Sequence, residues 1–191
     1  MRARDNPFTV QRIHSIPYVF PEGDWGLFLQ RLEKLDYRGA IVGPKGRGKS
    51  TLLRELGARL RERNLQPRFV RRDEDEPSFP KAFWKQFPAT LQPGDVILFD
   101  GAEQLTCWAW RRFVRMSRAA RGLVITSHRR GMLPLLYVCD TTPELLKEVI
   151  ARIAPDEAPR LPLSAEELYS RHKGDLREAL RELYDRYARK E

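Results

Sequence analysis

The sequence predicts an α/β fold: a parallel sheet of about five strands with helices on both faces, three layers in all, and a small helical segment at the C-terminal end. Three observations carry this. Short apolar runs at residues 39–42, 96–99 and 123–125 have the continuous, non-alternating character of strands buried on both faces. Between them lie stretches with apolar residues at three- and four-residue spacing, such as Leu52, Leu53, Leu56 and Leu60. A glycine-rich segment joins the first strand to the first of these amphipathic helices, so the order is strand, loop, helix.

Taken in order, residues 6–21 read as an irregular, proline-punctuated lead-in, and a helix over 25–35 feeds the first strand. A helix over 50–63 ends before the Gln66-Pro67 break, and residues 68–71 form a second strand. The acidic run Asp73 to Glu76 reads as a solvated connection, with attraction of a basic partner or a metal as the lesser reading. A short helix over 78–87 carries Phe83 and Trp84, and the turn Pro93-Gly94-Asp95 opens the central strand that ends at Asp100. Residues 105–121 are helical in pattern, with Trp110, Phe113, Val114 and Ser117 inward. Arg111, Arg115 and Arg118 form a basic stripe on another face, read first as solvated and second as a contact for nucleic-acid phosphates or an acidic partner. Residues 122–128 and 135–138 complete the strands.

Residues 1–140 then make the core and 141–191 a helical segment, either lid-like or packed on the core. Within it a helix runs from Pro143 to about Ile153, Ser164 and Glu167 spell a capping box, and Asp175 caps a last helix. The apolar stripe of that helix is Leu176, Ala179, Leu180, Leu183, Tyr184 and Tyr187.

The 191 residues, 32% charged and 41% apolar, suit a soluble domain with one sizeable core. No apolar stretch approaches the roughly 20 residues needed to span a bilayer, and no apolar run follows the N-terminal arginines, so a cytoplasmic location is expected. Cys107 and Cys139, without metal-like spacing, are expected to be free core thiols in a reducing compartment. A net charge of +9 is consistent with an anionic partner, nucleic acid foremost.

The segment Gly43-Pro44-Lys45-Gly46-Arg47-Gly48-Lys49-Ser50 matches G-x-x-x-x-G-K-[ST] at every fixed position. Its glycines permit positive-φ backbone and inward N–H groups, which cradle phosphate oxygens. Lys49 can reach the β- and γ-phosphates and Ser50 can ligate Mg²⁺, while Thr51 follows in the first helical turn. Asp100, at the end of the central strand, stands where open α/β sheets place ligand-binding groups and is the second candidate Mg²⁺ ligand. Gly101 follows it, and the nearest carboxylate is Glu103, a candidate water-orienting base or simply a helix-start acid. Thr126, Ser127 and His128 end the next strand, with His128 the sharpest candidate for sensing the γ-phosphate.

Together, residues 43–50, 96–100 and 123–127 resemble the additional-strand class of P-loop NTPases, AAA+-like ATPases in particular. The segment Gly174-Asp175-Leu176-Arg177-Glu178-Ala179-Leu180 is similar to the sensor 2 segment of clamp-loader and initiator ATPases. That resemblance implies ATP and Mg²⁺ as cofactors and an Arg177 that approaches the γ-phosphate. It departs at Gly101, where many relatives carry a glutamate. The reading is therefore an ATP-binding switch with slow hydrolysis. Its alternatives are a non-hydrolysing binding module for nucleic acid or protein, and a small-molecule kinase. The oligomeric state is open.

Overall fold

The structure is a computed structural model that describes residues 6–72, 79–161 and 163–189. The acidic run Asp73 to Glu76 lies outside the described residues. By its contacts the chain divides into two compact units. A sheet unit comprises Gly23–Gly43 and Leu52–Val138, and a helical unit comprises Met1–Glu22, Pro44–Thr51 and Cys139–Glu191.

The sheet unit holds all five strands: β1 (Arg38–Val42), β2 (Gln66–Arg71), β3 (Asp95–Asp100), β4 (Gly122–Ser127) and β5 (Leu135–Val138). Every pairing is parallel and the order is β2-β3-β4-β1-β5, which inserts β4 between β1 and β3. The α/β expectation holds. Val96 to Phe99 and Leu123 to Ile125 are fully buried, as two-sided burial requires.

One sheet face carries Ile97, Phe99, Leu123 and Ile125 and is covered by α4 (Lys81–Ala89) and α5 (Cys107–Met116). Phe79, Phe83, Phe87 and Phe113 stack between them, with Phe99 against Phe113 at 4.7 Å between ring centres. Over the other face, α3 (Lys49–Arg61) brings Gly57 so close to Phe69 that a Cβ would lie 2.5 Å from the ring. The helix α2 (Trp25–Lys34) seats Phe28 against Tyr137 of β5. Aromatic bulk on one side and a glycine contact on the other set the two layer separations.

The single helix expected over 105–121 is divided. A 3-10 turn spans Ala102–Gln104, Thr106 caps α5 by accepting from the Ala109 N–H, and a second 3-10 turn follows at Ser117–Ala119. Arg38 is the reason for the second turn, since its guanidinium donates to the Ser117 hydroxyl and to the Ser117 and Ala120 carbonyls.

The helical unit contains α1 (Val10–Ser15), α6 (Pro143–Ile153), α7 (Ala165–Arg171) and α8 (Leu176–Ala188). The lead-in is thus not irregular throughout. Phe8 is buried and meets Tyr187 edge-on at 5.2 Å, while the Asn6 amide donates to the Tyr184 carbonyl. Those two anchors fix the chain so that a short helix forms before Pro17. The apolar stripe of α8 joins Leu146, Ile150, Ile153 and Leu168 in the core of this unit. Ser164 and Glu167 form the expected reciprocal cap of α7, and Asp175 caps α8. Among the described residues, no helix is long and apolar enough to cross a membrane.

The two thiols differ. Cys139 is buried as expected, but Cys107 is exposed, because as the first residue of α5 it lies on the solvent side of Ala109 and Phe113. Burial pushes the Cys139 thiol from its ordinary 9.0 up to about 11, against the opposing hydrogen bond from Tyr18 and the charge of Lys49. A thiol reagent should label Cys107 rapidly in the native protein and Cys139 only on unfolding, which thiol counting on the Cys107→Ser variant checks. Because the folded value lies above the unfolded one, the stability contributed by the neutral Cys139 thiol is complete below pH 9.0 and is lost as pH rises through about 11. Urea unfolding across that range should show a shallower decline for Cys139→Ser than for wild type.

Candidate functional site

At the C-terminal edge of the sheet, the end of β3 is built around one hydroxyl. Thr126, buried on β4, donates to an Asp100 carboxylate oxygen at 2.6 Å and accepts from the Gly101 N–H at 2.9 Å. The hydroxyl thus acts as donor and acceptor at once, orienting the carboxylate of the half-buried Asp100.

Gly101 has φ of +83°, and a Cβ there would lie 2.6 Å from the Arg72 carbonyl oxygen. The position cannot carry a glutamate without backbone movement, because Arg72 also donates its N–H to the Asp100 carbonyl and so closes the end of the β2–β3 ladder. The departure from the family pattern at this residue has a steric cause.

The next carboxylate along, Glu103, sits in the 3-10 turn with its Oε1 3.4 Å from His128 Nδ1. Its Oε2 is buried and has no hydrogen-bond partner among the described residues. A buried acceptor left without a donor costs on the order of 1–3 kcal/mol, and such groups persist where they handle water or a proton. Asp100, Gly101, Glu103, Thr126 and His128 are thus brought together in the sheet unit.

The glycine loop belongs to the helical unit from Pro44 onward. Gly46 and Gly48 have φ of +72° and +82°, the positive values expected of a turn that directs N–H groups to one side. Lys49 is buried and its ammonium donates to the Pro44 carbonyl at 2.7 Å, folding the side chain back over the loop. Pro44, Lys45 and Ser50 are exposed and Thr51 is half-buried. The Tyr18 ring lies against Gly48, where a Cβ would approach it to 3.0 Å.

Arg47 shows what spacing alone did not reveal. Its side chain is only 13% exposed. The guanidinium donates to Asp140 at 2.6 Å, to the Thr141 hydroxyl at 2.5 Å, to the Tyr169 hydroxyl at 3.3 Å and to the Lys173 carbonyl at 3.0 Å. Thr141 in turn donates to the Gly174 carbonyl, and Tyr169 to the Thr141 carbonyl. A Cβ on Gly174 would lie 2.5 Å from the guanidinium, and a Cβ on Gly46 would lie 1.8 Å from an Asp175 carboxylate oxygen. Gly174 and Asp175 therefore serve the loop and the α8 cap together. Arg177 is exposed in the first turn of α8 and its side chain bonds to no described residue. Tyr18, Asp140, Thr141 and Tyr169 were missed because no local motif marks residues that meet the loop from distant parts of the chain.

No family model and no curated protein matches the chain. Among solved structures it is similar to a single-residue variant of RuvB from Thermotoga maritima, with TM-score 0.60 and 18% identity over 91% of this chain. The chain spans 64% of the length of that protein. At this identity the likeness is one of fold: the architecture is P-loop NTPase-like, with helices following at the C-terminal end.

Replacing Gly101 by glutamate should destabilise the protein by about 2–4 kcal/mol through left-handed backbone and overlap with the Arg72 carbonyl. Urea unfolding measures this, and a midpoint equal to wild type would show that the turn tolerates a side chain. Arg47→Ala should cost about 1–2 kcal/mol, because its charge-assisted hydrogen bonds to the buried Thr141 hydroxyl and the half-buried Tyr169 are lost, while the exposed Asp140 adds little. Its signature should be earlier proteolytic cleavage within residues 139–189.

Proposed function

We propose that the protein is an ATP-binding, Mg²⁺-dependent P-loop ATPase that works as a nucleotide-dependent switch and hydrolyses slowly. The observation that carries the reading is the G-x-x-x-x-G-K-[ST] segment with positive-φ glycines at 46 and 48, positioned directly after β1 of a parallel sheet whose order places β4 between β1 and β3. The fold likeness to RuvB supports it.

The residues present fit a nucleotide triphosphate with its metal. The backbone N–H groups of residues 45–51 and the Lys49 ammonium suit phosphate oxygens. The Ser50 hydroxyl and the Asp100 carboxylate are each an oxygen donor of the kind Mg²⁺ takes. Bound Mg²⁺ would offset phosphate charge and polarise the γ-phosphoryl group. Thr126 keeps the Asp100 carboxylate oriented, and the open oxygen of Glu103 can accept a proton from an attacking water, with His128 beside it to stabilise the carboxylate. Adenine is chosen over other bases by the family resemblance.

The switch character rests on Arg47. Any rearrangement of the loop around phosphate acts on a guanidinium bonded to residues 140–141, 169 and 173, so the helical C-terminal residues can respond to the occupancy of the loop. Arg177, exposed near this cluster in sequence, is available as a sensor of the γ-phosphate in the liganded state.

Lys49→Ala should abolish tight binding of a fluorescent ATP analogue in an equilibrium titration, and unchanged affinity would overturn the assignment of the loop. Glu103→Gln should leave that affinity nearly unaltered while lowering steady-state turnover by about 10²-fold, the usual size of a lost general base. Intact turnover in this variant would return Glu103 to a structural role, and tight binding with no wild-type turnover would favour a non-hydrolysing module.

A further inference from the structure

The solvent face of α5 carries a pattern that folding does not explain. Trp108, Arg111, Arg112 and Arg115 recur at three- and four-residue spacing and so share one side of the helix, opposite the buried Ala109 and Phe113. Arg118 follows in the 3-10 turn. Trp108 is 67% exposed, whereas Trp84 is buried and Trp25 and Trp110 are partly buried. The Arg112 guanidinium lies 4.6 Å from the Trp84 ring centre and 5.5 Å from that of Trp108, bridging a fixed indole to the exposed one.

Among the described residues, the charge on this face meets no carboxylate. Neither α4 nor α5 contains an aspartate or glutamate, and α4 adds two exposed lysines. Elsewhere arginines find carboxylates: Arg121 meets Asp36, Arg152 meets Glu148, and Arg171 and Arg186 meet Glu182. Among the described residues, no such ion pair forms at Arg111, Arg112, Arg115 or Arg118. Like charges one helical turn apart destabilise one another, and an indole left in water forgoes its burial. A ligand that neutralises the arginines and covers the ring offsets both costs.

We infer that this face binds single-stranded nucleic acid, with Arg111, Arg115 and Arg118 on the phosphates and a base stacked on Trp108. Charge complementarity requires a polyanion, and the exposed ring selects among polyanions. An acidic peptide satisfies the guanidinium groups but has no planar group to offer at regular spacing. A duplex keeps its bases stacked on one another. A single strand presents phosphates and free base faces together, and aromatic platforms beside basic grooves are the general solution for holding it. The inference stands apart from the nucleotide reading, since every residue in it lies in α4, α5 and the following turn.

Fluorescence anisotropy of a labelled oligothymidylate of about 15 nucleotides, titrated with the full chain in the absence of ATP, tests it. Wild type should bind at low salt, with log K falling against log salt at a slope of about −2 to −3, as three to four phosphate contacts imply. Trp108→Ala should weaken binding at least about five-fold with the slope preserved. Arg111→Ala with Arg115→Ala should flatten the slope by about 1.4. All three positions are exposed or outward-facing, and circular dichroism verifies that the variants fold. Oligouridylate in parallel assigns DNA or RNA within the same chemistry. Absence of binding, Trp108→Ala indistinguishable from wild type, a duplex of the same length bound more tightly, or equal competition by polyglutamate would each overturn the inference. Lys49→Ala should bind the oligonucleotide like wild type, which separates this surface from the ATP assignment.

Discussion

A guanidinium that is mostly buried needs acceptors to offset its lost hydration, and in the helical unit Arg47 finds them at its two terminal nitrogens, while its buried Nε bonds to no described residue. Asp140, Thr141, Tyr169 and Lys173 come from separate parts of the chain to meet it, and two of them are held by further hydrogen bonds. Gly174 lacks a side chain where the guanidinium needs room, and Asp175 both caps α8 and fills the space beside Gly46. The conformation of the glycine loop and the placement of α7 and α8 are therefore solutions to one electrostatic problem. A loop shaped in this way can change only if its partners change with it.

The sheet edge is governed by a different constraint. Parallel pairing carries β2 and β3 to a common end, where the Arg72 carbonyl crowds the residue after Asp100. Only glycine satisfies both the positive φ and the missing space. The next carboxylate along, Glu103, lies in a 3-10 turn that brings it to His128. Thr126 spends its donor and acceptor on fixing Asp100 and the Gly101 amide, so the polar end of β4 is structural and functional at once.

These two constraints differ from the arrangement on α5. There the inner face is packed by aromatic stacking around Phe113, while the outer face carries arginines that pair with no described carboxylate and an exposed indole.

Local chemistry made much of this protein legible from its sequence. Continuous apolar runs at 96–99 and 123–125 specify buried parallel strands because no face of such a strand meets water. The leucines of α3, the capping box of α7 and the Asp175 cap are likewise set by residues within one or two helical turns. The glycine loop was legible because its chemistry is contained in eight consecutive residues. What only the tertiary structure decided involves partners distant in sequence: the strand order, the helix in the lead-in anchored by Phe8 and Asn6, the exposure of Cys107, and the acceptors of Arg47. Gly101 shows the boundary most clearly, since its identity is visible in the sequence but its cause is a carbonyl 29 positions earlier that only parallel pairing brings against it. Periodicity reports which side of an element is apolar, whereas hydrogen bonds and steric exclusion between distant segments depend on where the fold carries them.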